Sequence, residues 1–453
     1  MTTPITKIIA IDDDPTGSQT VHGCLLLTRW DVGTLTQALQ DDSPLFFVLS
    51  NTRGMDAGRA AAVTREICVN LRLALADLEA AGTKVQPVIV SRSDSTLRGH
   101  YPVETDVIAA ELGPFDAHFL APAFFEGGRI TRDGTHYLIV DDPNGNQLVP
   151  VHETEFARDS VFGFSTAFLP DYVAEKTGGR IAADDVQRFP LAELRGDLEV
   201  LVQRLVALTG NACCAVDAER QADLDAFAAA VLAAAGQGRR FLFRSAASLL
   251  TSLAALPPQP VAPADMGRFT RGGPAGHWPG VVLMGSHVAK STRQLEHLLA
   301  NTDSVPLEID LDRLDEAEDL VTQLTSAVRA ILAAGRGSVL YTSRGERSFP
   351  SKAERLAFGE RVSDLLVDIV RRLPADIGFL ISKGGITSND TLSKGLALTT
   401  ARVLGQVRAG CSVVRCPADH PRFPELPVVI FPGNVGGDDA LAEVYRIMSA
   451  KLP

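Results

Sequence analysis

The most constraining feature of the chain is an apolar, β-branched stretch, Lys7 to Ile11, that ends abruptly in Asp12, Asp13 and Asp14. Because desolvating a carboxylate is costly, we expect these three on a loop where the strand leaves its sheet. In open α/β sheets, ligands bind at that edge. Three like charges also repel one another, so we expect a cation or a cationic side chain to offset them. The feature therefore predicts phosphate or metal chemistry at the carboxyl edge of a sheet.

Strands and helices alternate along both halves of the chain, which is typical of α/β domains with largely parallel sheets. A long helix is predicted over residues 57–81, because apolar residues from Ile67 to Leu78 recur on one face before Gly82. The other predicted helices cover residues 200–208, 223–235, 291–300, 314–334 and 353–373. The predicted strands cover residues 45–49, 87–91, 281–284, 339–341, 379–382, 412–414 and 428–431.

One stretch breaks this alternation and predicts a domain boundary. Residues 256–279 contain six prolines and four glycines, and no helix or strand pattern continues through them. A chain of 453 residues is also too long for one ordinary hydrophobic core. We therefore expect one α/β domain over residues 1–255, a linker over 256–279, a second α/β domain over 280–453, and an interdomain cleft.

Charge and cysteine content narrow the class of protein. The formal net charge of -12 disfavours nonspecific binding to nucleic acid or to an anionic membrane, so neither is expected as a partner. The six cysteines form no Cys-x-x-Cys pair and no cluster with zinc spacing, which predicts reduced core thiols. No signal-peptide pattern and no bilayer-spanning apolar run is found, so a cytoplasmic protein is expected. The oligomeric state is left open, with a homodimer as one option.

Polar residues are concentrated directly after predicted strands of the first half. Residues 91–100 contain two arginines, one aspartate and four hydroxyl side chains. Arginine forks suit carboxylates and phosphates, and serine or threonine hydroxyls suit the hydroxyl groups of sugars. Arg53 and the glycine-containing segment 121–129 add to the same sheet edge. A solvated turn is the alternative for each segment, but so much polarity in residues 91–100 favours a binding site.

In the second half, three predicted strands open into glycine-containing turns, at residues 285–287, 383–388 and 432–438. A glycine turn before a helix presents backbone N–H groups and the positive end of the helix dipole, which suits phosphate. None of the three matches the P-loop or the dinucleotide pattern, and each alone is typical of a tight turn. Together, on one sheet edge, they predict a nucleotide-phosphate site.

Several of these segments resemble the motifs of the four-carbon acid sugar kinase family, in the same order along the chain. Residues 12–17 (Asp-Asp-Asp-Pro-Thr-Gly) are similar to its Asp-Asp-x-Thr-Gly start, and residues 94–99 (Asp-Ser-Thr-Leu-Arg-Gly) are similar to its central motif. The further matching positions are 121–124, 128–129, 134, 136–137, 285–286, 384–385, 387–388, 433–434 and 436. The resemblance spans nearly the whole chain, and residues 94–99 are its most specific part.

The resemblance implies ATP-dependent phosphorylation of a hydroxyl on a short sugar acid such as a threonate, an erythronate or an oxo-tetronate. The first domain would hold this small-molecule acid, and the second would hold ATP with Mg²⁺. Asp13 is then the preferred acceptor of the hydroxyl proton, with Asp94 as the runner-up and Asp12 beside them; Asp12 or Asp14 would help to hold Mg²⁺. The expected substrate-binding residues are Arg53, Arg92, Ser95, Thr96, Arg98 and Gly99. The expected nucleotide-binding residues are Gly285, Ser286, Gly384, Gly385, Ile386, Thr387, Gly433 and Asn434.

Two other functions stay open. Asp12-x-Asp14-x-Thr16 after a strand also fits the first motif of haloacid dehalogenase-like phosphatases, with Asp12 as nucleophile and Asp14 as general acid. That function requires a long insertion before any later motif and leaves residues 94–99 without a role. The chain also departs from the family pattern at Ile386, where an acidic residue is usual, and at Phe431-Pro432, where lysine-serine is usual. These departures motivate a second alternative, a non-catalytic sugar-acid-binding protein.

Overall fold

The computed structural model describes residues 5–140, 145–273, 276–286, 288–344, 349–433 and 435–450. Internal contacts divide the chain into an N-terminal unit, residues 1–257, and a C-terminal unit, residues 258–453. Both are α/β, so the predicted fold class is confirmed. Within the described ranges, no helix is both long and apolar enough to cross a membrane.

The N-terminal unit contains the first eleven strands and the first eight α-helices described. The strands are β1 (Ile5–Asp12), β2 (Leu25–Leu27), β3 (Leu45–Leu49), β4 (Val85–Arg92), β5 (Ala117–Ala121), β6 (Arg129–Arg132), β7 (Thr135–Val140), β8 (Gln147–Pro150), β9 (Gln187–Phe189), β10 (Ala212–Val216) and β11 (Phe241–Ser245). The helices are α1 (Val32–Gln40), α2 (Ala57–Ala80), α3 (Val103–Leu112), α4 (Leu169–Lys176), α5 (Leu191–Leu194), α6 (Leu198–Val206), α7 (Gln221–Gly236) and α8 (Ala247–Ala254).

The main sheet of this unit is parallel, in the order β2-β3-β1-β4-β11-β5-β10-β9. A small antiparallel sheet, β6-β7-β8, accompanies it. The stripe predicted for α2 is buried, since Ile67 and Leu71 are 0 % exposed in the same core cluster as Ile9 and Phe46 of the sheet. An aromatic cluster with Phe119 at its centre fills another part of the core, where Phe119 and Phe243 stack with centroids 5.5 Å apart.

The strand register lines up the ends of five strands in one row. Asp12 pairs with Leu49 on one side and with Arg92 on the other, and Ser245 pairs with both Arg92 and Ala121. Because the strands are parallel, the loops that follow all five leave the sheet at the same edge. This row carries the polar segments singled out in the sequence.

The C-terminal unit contains the remaining elements. Its strands are β12 (Gly272–Gly273), β13 (Gly276–His277), β14 (Val281–Met284), β15 (Val305–Ile309), β16 (Ser338–Thr342), β17 (Leu380–Lys383), β18 (Thr400–Arg408), β19 (Cys411–Arg415) and β20 (Pro427–Phe431). Its helices are α9 (Ala289–Asn301), α10 (Ala317–Ala333), α11 (Lys352–Arg372), α12 (Gly385–Asp390) and α13 (Ala440–Ser449). The sheet order is β15-β16-β14-β17-β20-β19-β18; the first five strands run parallel, and β19 pairs antiparallel with β20 and β18.

The two units divide within residues 256–279, the stretch expected to be a linker, and its described residues from Pro258 onward belong to the C-terminal unit. Residues Pro263–Phe269 form a 3-10 helix, and Met266 is 0 % exposed in the core of that unit. The described part of this stretch after Pro257 therefore packs on the C-terminal unit. An apolar residue such as Met266 gains free energy from burial, which explains why this proline-rich segment packs.

Candidate functional site

Two of the three consecutive carboxylates are buried where β1 ends. Asp12 is still within the strand and is 0 % exposed, and Asp13 is 1 % exposed. The expected loop position therefore holds for Asp13, which follows the strand, but not for Asp12, and both side chains are buried. Arg92 Nη1 lies 3.1 Å from Asp12 Oδ1, while Asp12 Oδ2 is buried with no hydrogen-bond partner among the described residues. Burial raises the pKa of Asp12 to about 7, against the opposing charge of Arg92.

Asp13 is held by a second arginine. Arg53 places Nη2 2.5 Å from Asp13 Oδ1 and Nε 3.2 Å from Oδ2, and Ser93 Oγ donates to Oδ2 at 2.7 Å. Burial opposes ionisation of Asp13, but the Arg53 guanidinium, with Arg244 and Arg92 behind it, holds the pKa of Asp13 below its usual range. Both oxygens of Asp13 are thus occupied by protein donors.

The carboxylates at the end of β1 do not fit a resident Mg²⁺ ion. Asp12 Oδ2 is covered by Gly17, because a Cβ added there would lie 1.7 Å from it. Asp14 Oδ1 accepts from the Thr16 amide at 2.9 Å, and its Oδ2 lies 3.5 Å from Arg53 Nη1. Within the described residues, no group of three or more His, Cys, Asp or Glu side chains is arranged to hold a metal. The geometry therefore gives no support to metal binding by Asp12 and Asp14.

A pocket opens beside these buried pairs at the same sheet edge. Its lining residues follow β4, lie at or just after the end of β5, lie at the end of β11, or belong to α4: Ser93, Asp94, Leu97, Arg98, Leu120, Pro122, Tyr172, Arg244 and Ser245. Arg98 Nε donates to Asp94 Oδ2 at 2.7 Å, and the Asp94 side chain keeps 13 % exposure. Burial opposes ionisation of Asp94, yet Arg53 and Arg98 hold its pKa well below the usual range. Asp94 is therefore an ionised, reachable acceptor.

The turn that carries Asp94 is fixed from behind by three side chains. His136, fully buried, lies with Nε2 2.7 Å from the Ser95 carbonyl oxygen, and Tyr172 Oη donates to the Leu97 carbonyl at 2.7 Å. Ser93 Oγ lies 3.1 Å from the Arg98 carbonyl. Burial lowers the pKa of His136 to about 4, so its imidazole is neutral and can donate one N–H to the Ser95 carbonyl. Rigid support of this kind pre-organises a binding site.

Gly99 closes the turn where no side chain fits. Its φ is +122°, and a Cβ there would lie 2.5 Å from Ser93 Oγ and 2.6 Å from Arg244 Nη2. The expected substrate-binding role of Gly99 is thus better described as close backbone approach to these two groups. The side chains of Ser95 and Thr96 are buried, and Thr96 Oγ1 donates to Asp94, so both shape the turn from within.

The structure places Arg244, and not Arg92, in the lining of the pocket. Arg92 was expected to clamp the substrate, but its side chain is 5 % exposed and paired with Asp12. Arg244, at the end of β11, was missed although it lines the pocket; Nη1 lies 2.5 Å from Glu104 Oε2, and Nη2 donates to Ser93 Oγ at 2.7 Å. No local motif marks Arg244 or Glu104, and only the fold brings them together.

A larger but shallower hollow, about 650 Å³ against about 20 Å³ at Asp94, lies along α1, away from these arginines. Its lining includes Asp41, Asp42 and Asp77 and no basic residue. Asp41 and Asp42 precede β3, so the hollow belongs to the amino edge of the sheet. Carboxylates without cations do not suit an acidic ligand, so the pocket at Asp94 is the better candidate.

In the C-terminal unit, the register brings the predicted glycine turns together. Met284, Lys383 and Phe431 are register partners at the ends of adjacent strands. Ser286 Oγ lies 3.0 Å from Ser291 Oγ, and Ser291 in turn donates to the Gly433 carbonyl at 3.3 Å.

Close packing explains the glycine at position 285, and a positive φ explains the glycine at position 384. A Cβ on Gly285 would lie 2.3 Å from Thr387 Oγ1, and Gly384 has φ +117°. Gly385 begins α12, where Ile386 is 67 % exposed. Asn434 and His287 lie outside the described residues.

Two cations at these turns, Lys383 and Arg344, have no carboxylate partner within ion-pair distance in the described parts of the chain. Lys383, 0 % exposed, donates to the Pro432 carbonyl at 3.1 Å, and its Nζ lies 4.2 Å from the centre of the Phe431 ring. Arg344 donates through Nη1 to the Ser286 carbonyl, while Nε and Nη2 are buried without a hydrogen-bond partner there. Lys383 opens the predicted glycine turn 383–388 but was not among the expected nucleotide-binding residues, and Arg344 was not predicted from the sequence. Unpaired cations beside glycine turns suit an anionic ligand.

Lys383→Met is expected to raise the stability of the ligand-free protein, and to do so more at pH 6 than at pH 9. Burial lowers the pKa of Lys383 to about 7, a shift that Cys411 opposes and that Lys290 and Arg344 assist. Between that value and the ordinary lysine pKa, the unfolded chain holds one proton more, so wild-type stability should rise with pH by up to about 1.4 kcal/mol per pH unit. The methionine variant lacks this dependence.

The measurement is urea denaturation of both proteins at pH 6 and pH 9. The control is Lys394→Met, because Lys394 is exposed and paired with Asp390. A stability difference between Lys383→Met and wild type that does not shrink from pH 6 to pH 9 would contradict the prediction.

The chain is similar to a curated protein sequence and to solved structures. A D-threonate kinase of Bordetella bronchiseptica strain RB50 is 31% identical over 175 residues, which cover 37% of this chain and 38% of that protein. The match thus spans less than half of the relative. Among solved structures, a Salmonella typhimurium LT2 protein provisionally described as a tRNA synthase has a TM-score of 0.67 at 16% identity, covering 98% of each chain. A Haemophilus influenzae protein has a TM-score of 0.63 at 17% identity, covering 97% of this chain and 100% of its own. These two structures share the fold.

Two family models match the chain. One describes a sugar-binding N-terminal domain and covers residues 8–253; the other describes a nucleotide-binding C-terminal domain and covers residues 281–441. The pocket at Asp94 lies within the first range, and the glycine turns with Lys383 lie within the second. The chain therefore belongs to the family that joins these two domains, the four-carbon acid sugar kinase family.

Proposed function

We propose that this protein is an ATP-dependent kinase that phosphorylates a hydroxyl of a short, four-carbon sugar acid. The observation that carries the proposal is the pocket in which an ionised Asp94 lies among Arg98, Arg244 and several hydroxyl side chains. A carboxylate that accepts hydroxyl protons, next to guanidinium groups that pair with an acid, is the set of groups that a sugar acid requires.

Asp94 is the group proposed to accept the proton of the attacking hydroxyl. Sequence reasoning preferred Asp13, but both Asp13 oxygens are bound by Arg53 and Ser93, and the side chain is 1 % exposed. Asp94 lines the pocket, and its side chain is 13 % exposed. In phosphoryl transfer, orientation of the nucleophile contributes more than the strength of the base, so a carboxylate of low pKa can serve. Asp13 then acts as a positioning residue for Arg53 and Ser93.

The C-terminal unit is proposed to bind the phosphates of ATP. Lys383 and Arg344 supply positive charge without carboxylate partners in the described residues, and the Gly285, Gly384 and Gly433 turns supply backbone N–H groups. Mg²⁺ would arrive as part of the nucleotide substrate, because the carboxylates at the end of β1 do not fit a resident ion. Its chemistry would be neutralisation of phosphate charge.

The phosphatase alternative has weak support in the geometry. It needs Asp12 as a nucleophile, but Asp12 Oδ1 faces Arg92 and Oδ2 is covered by Gly17, so neither oxygen is open to a phosphorus atom.

The non-catalytic alternative rests on Ile386 and Pro432. It predicts binding of a sugar acid without consumption of ATP.

The decisive experiment is a coupled ADP-release screen against four-carbon sugar acids and their oxo forms, with Mg²⁺ and ATP. ADP production that depends on one of these acids is the expected result. Phosphate release from sugar phosphates without ATP would favour a phosphatase instead. Tight binding of an acid with no ADP production across the panel would favour the binding protein.

A further inference from the structure

Arg129 differs from the other arginines near the pocket at Asp94, because none of the described carboxylates pairs with it. Arg53 pairs with Asp13, Arg92 with Asp12, Arg98 with Asp94, and Arg244 with Glu104. In the described ranges, no carboxylate lies within ion-pair distance of Arg129, and its buried Nε has no hydrogen-bond partner. Its guanidinium donates through Nη1 to the Gly127 carbonyl.

The backbone holds Arg129 in a defined place. Arg129 begins β6, and its N–H and C=O form a reciprocal pair with Phe124 at 2.8 Å and 2.9 Å. The guanidinium lies directly on Gly127, where an added Cβ would be 2.1 Å from Nη1. Gly127 thus leaves the space that the arginine occupies, and the side chain is only partly exposed.

Backbone and side-chain contacts connect Arg129 to the pocket. Its backbone partner Phe124 lies two residues after Pro122, which lines the pocket. On the same strand, Thr131 Oγ1 lies 2.9 Å from His136 Nδ1, and His136 holds the Ser95 carbonyl.

Burial lowers the pKa of Arg129, Asp94 and Glu155 oppose that change, and Arg98 adds to it. Asp94 and Arg98 both line the pocket. A guanidinium keeps its charge even when half-buried, so Arg129 is a desolvated cation beside a site whose own acid, Asp94, is already paired with Arg98.

A buried charge without a partner is costly, and an anionic ligand would remove that cost. We propose that Arg129 binds the carboxylate of the sugar acid and thereby selects acids over neutral polyols of the same length. This inference rests on the proposed function, and it assigns the acid group to Arg129, outside the Asp94–Gly99 segment.

The test compares the acid found in the ADP-release screen with the matching polyol, in which a CH₂OH group replaces the carboxylate. Loss of a charge-assisted contact should raise KM for the acid by roughly 10- to 100-fold in Arg129→Met. The preference for acid over polyol in kcat/KM should fall by a similar factor, while KM for ATP stays unchanged. Arg129→Lys, which keeps the charge but loses the fork, should lie between wild type and Arg129→Met, and it serves as the second variant if Arg129→Met does not fold.

Arg132→Met is the matched control, since Arg132 lies on the same strand, is exposed, and pairs with Glu219. It should keep the wild-type preference. An unchanged acid-to-polyol preference in folded Arg129→Met or Arg129→Lys would overturn the inference, and so would a change confined to KM for ATP. If wild-type protein binds the acid but makes no ADP, the kinase proposal fails; acid affinity measured by calorimetry for the same variants then decides the role of Arg129 alone.

Discussion

Asp94→Asn is expected to lower kcat for the sugar acid by about 10²- to 10⁴-fold, with little change in KM for ATP. The substitution keeps the size of the side chain but replaces the carboxylate oxygen that would accept the hydroxyl proton. Asp94 also pairs with Arg98 at 2.7 Å, so the position of Arg98 should loosen and KM for the acid should rise modestly. Steady-state kinetics with the two substrates varied separately would measure both effects.

Asp13→Asn is the informative comparison because the two residues compete for one role. Asp13 is buried against Arg53 and Ser93, so its amide variant should lose stability and disturb Arg53 while keeping more of kcat than Asp94→Asn. Thermal unfolding of each variant separates loss of folding from loss of catalysis. A folded Asp13→Asn without turnover, beside an Asp94→Asn that retains turnover within tenfold of wild type, would return the proton-acceptor role to Asp13.

The fold could be predicted from the sequence wherever apolar periodicity was strong. The predicted strands 45–49 and 281–284 agree with β3 and β14 at both ends, and the helix predicted over 57–81 agrees with α2 to one residue. The two units divide within residues 256–279, at Pro257, but the prolines and glycines there indicate turns and do not reveal that Met266 is buried in a core. Local composition therefore predicts turns well, but it does not predict which residues pack in a core.

At the site, the polar segments singled out in the sequence share one sheet edge, but the sequence does not predict which of their side chains pair with one another. Runs such as residues 91–100 are visible because their polar groups are adjacent in the chain. The pairing of Arg92 with Asp12 spans 80 positions and that of Arg244 with Glu104 spans 140, and no sequence pattern reports contacts of that range. For the same reason, burial of Asp12 and Asp13 was not foreseen: the arginines that replace water around them come from other strands.

Arg244→Met is expected to destabilise the N-terminal unit by about 3–5 kcal/mol, the usual cost of removing one partner of a buried ion pair. Arg244 and Glu104 are 9 % and 4 % exposed, and the pair is 2.5 Å apart. Without Arg244, Glu104 would remain buried with Thr52 as its remaining donor in the described residues, and Ser91 and Ser93 would each lose a partner. A fall in the urea midpoint of the full chain, followed by circular dichroism, would measure the loss.

A second change on the same pair separates charge from packing. In Arg244→Met with Glu104→Gln, the uncompensated charge is gone, and Thr52 can still donate to the glutamine oxygen; we therefore expect a large part of the stability to return. Arg239→Met is the matched control, because Arg239 precedes the same strand and forms a partly exposed pair with Asp116, worth at most about 1 kcal/mol. Equal losses in Arg244→Met and Arg239→Met, or no recovery in the double variant, would show that the buried pair does not hold this edge of the sheet. Recovered stability without recovered turnover would instead assign Arg244 a second role, since its Nη2 also positions Ser93 beside the pocket.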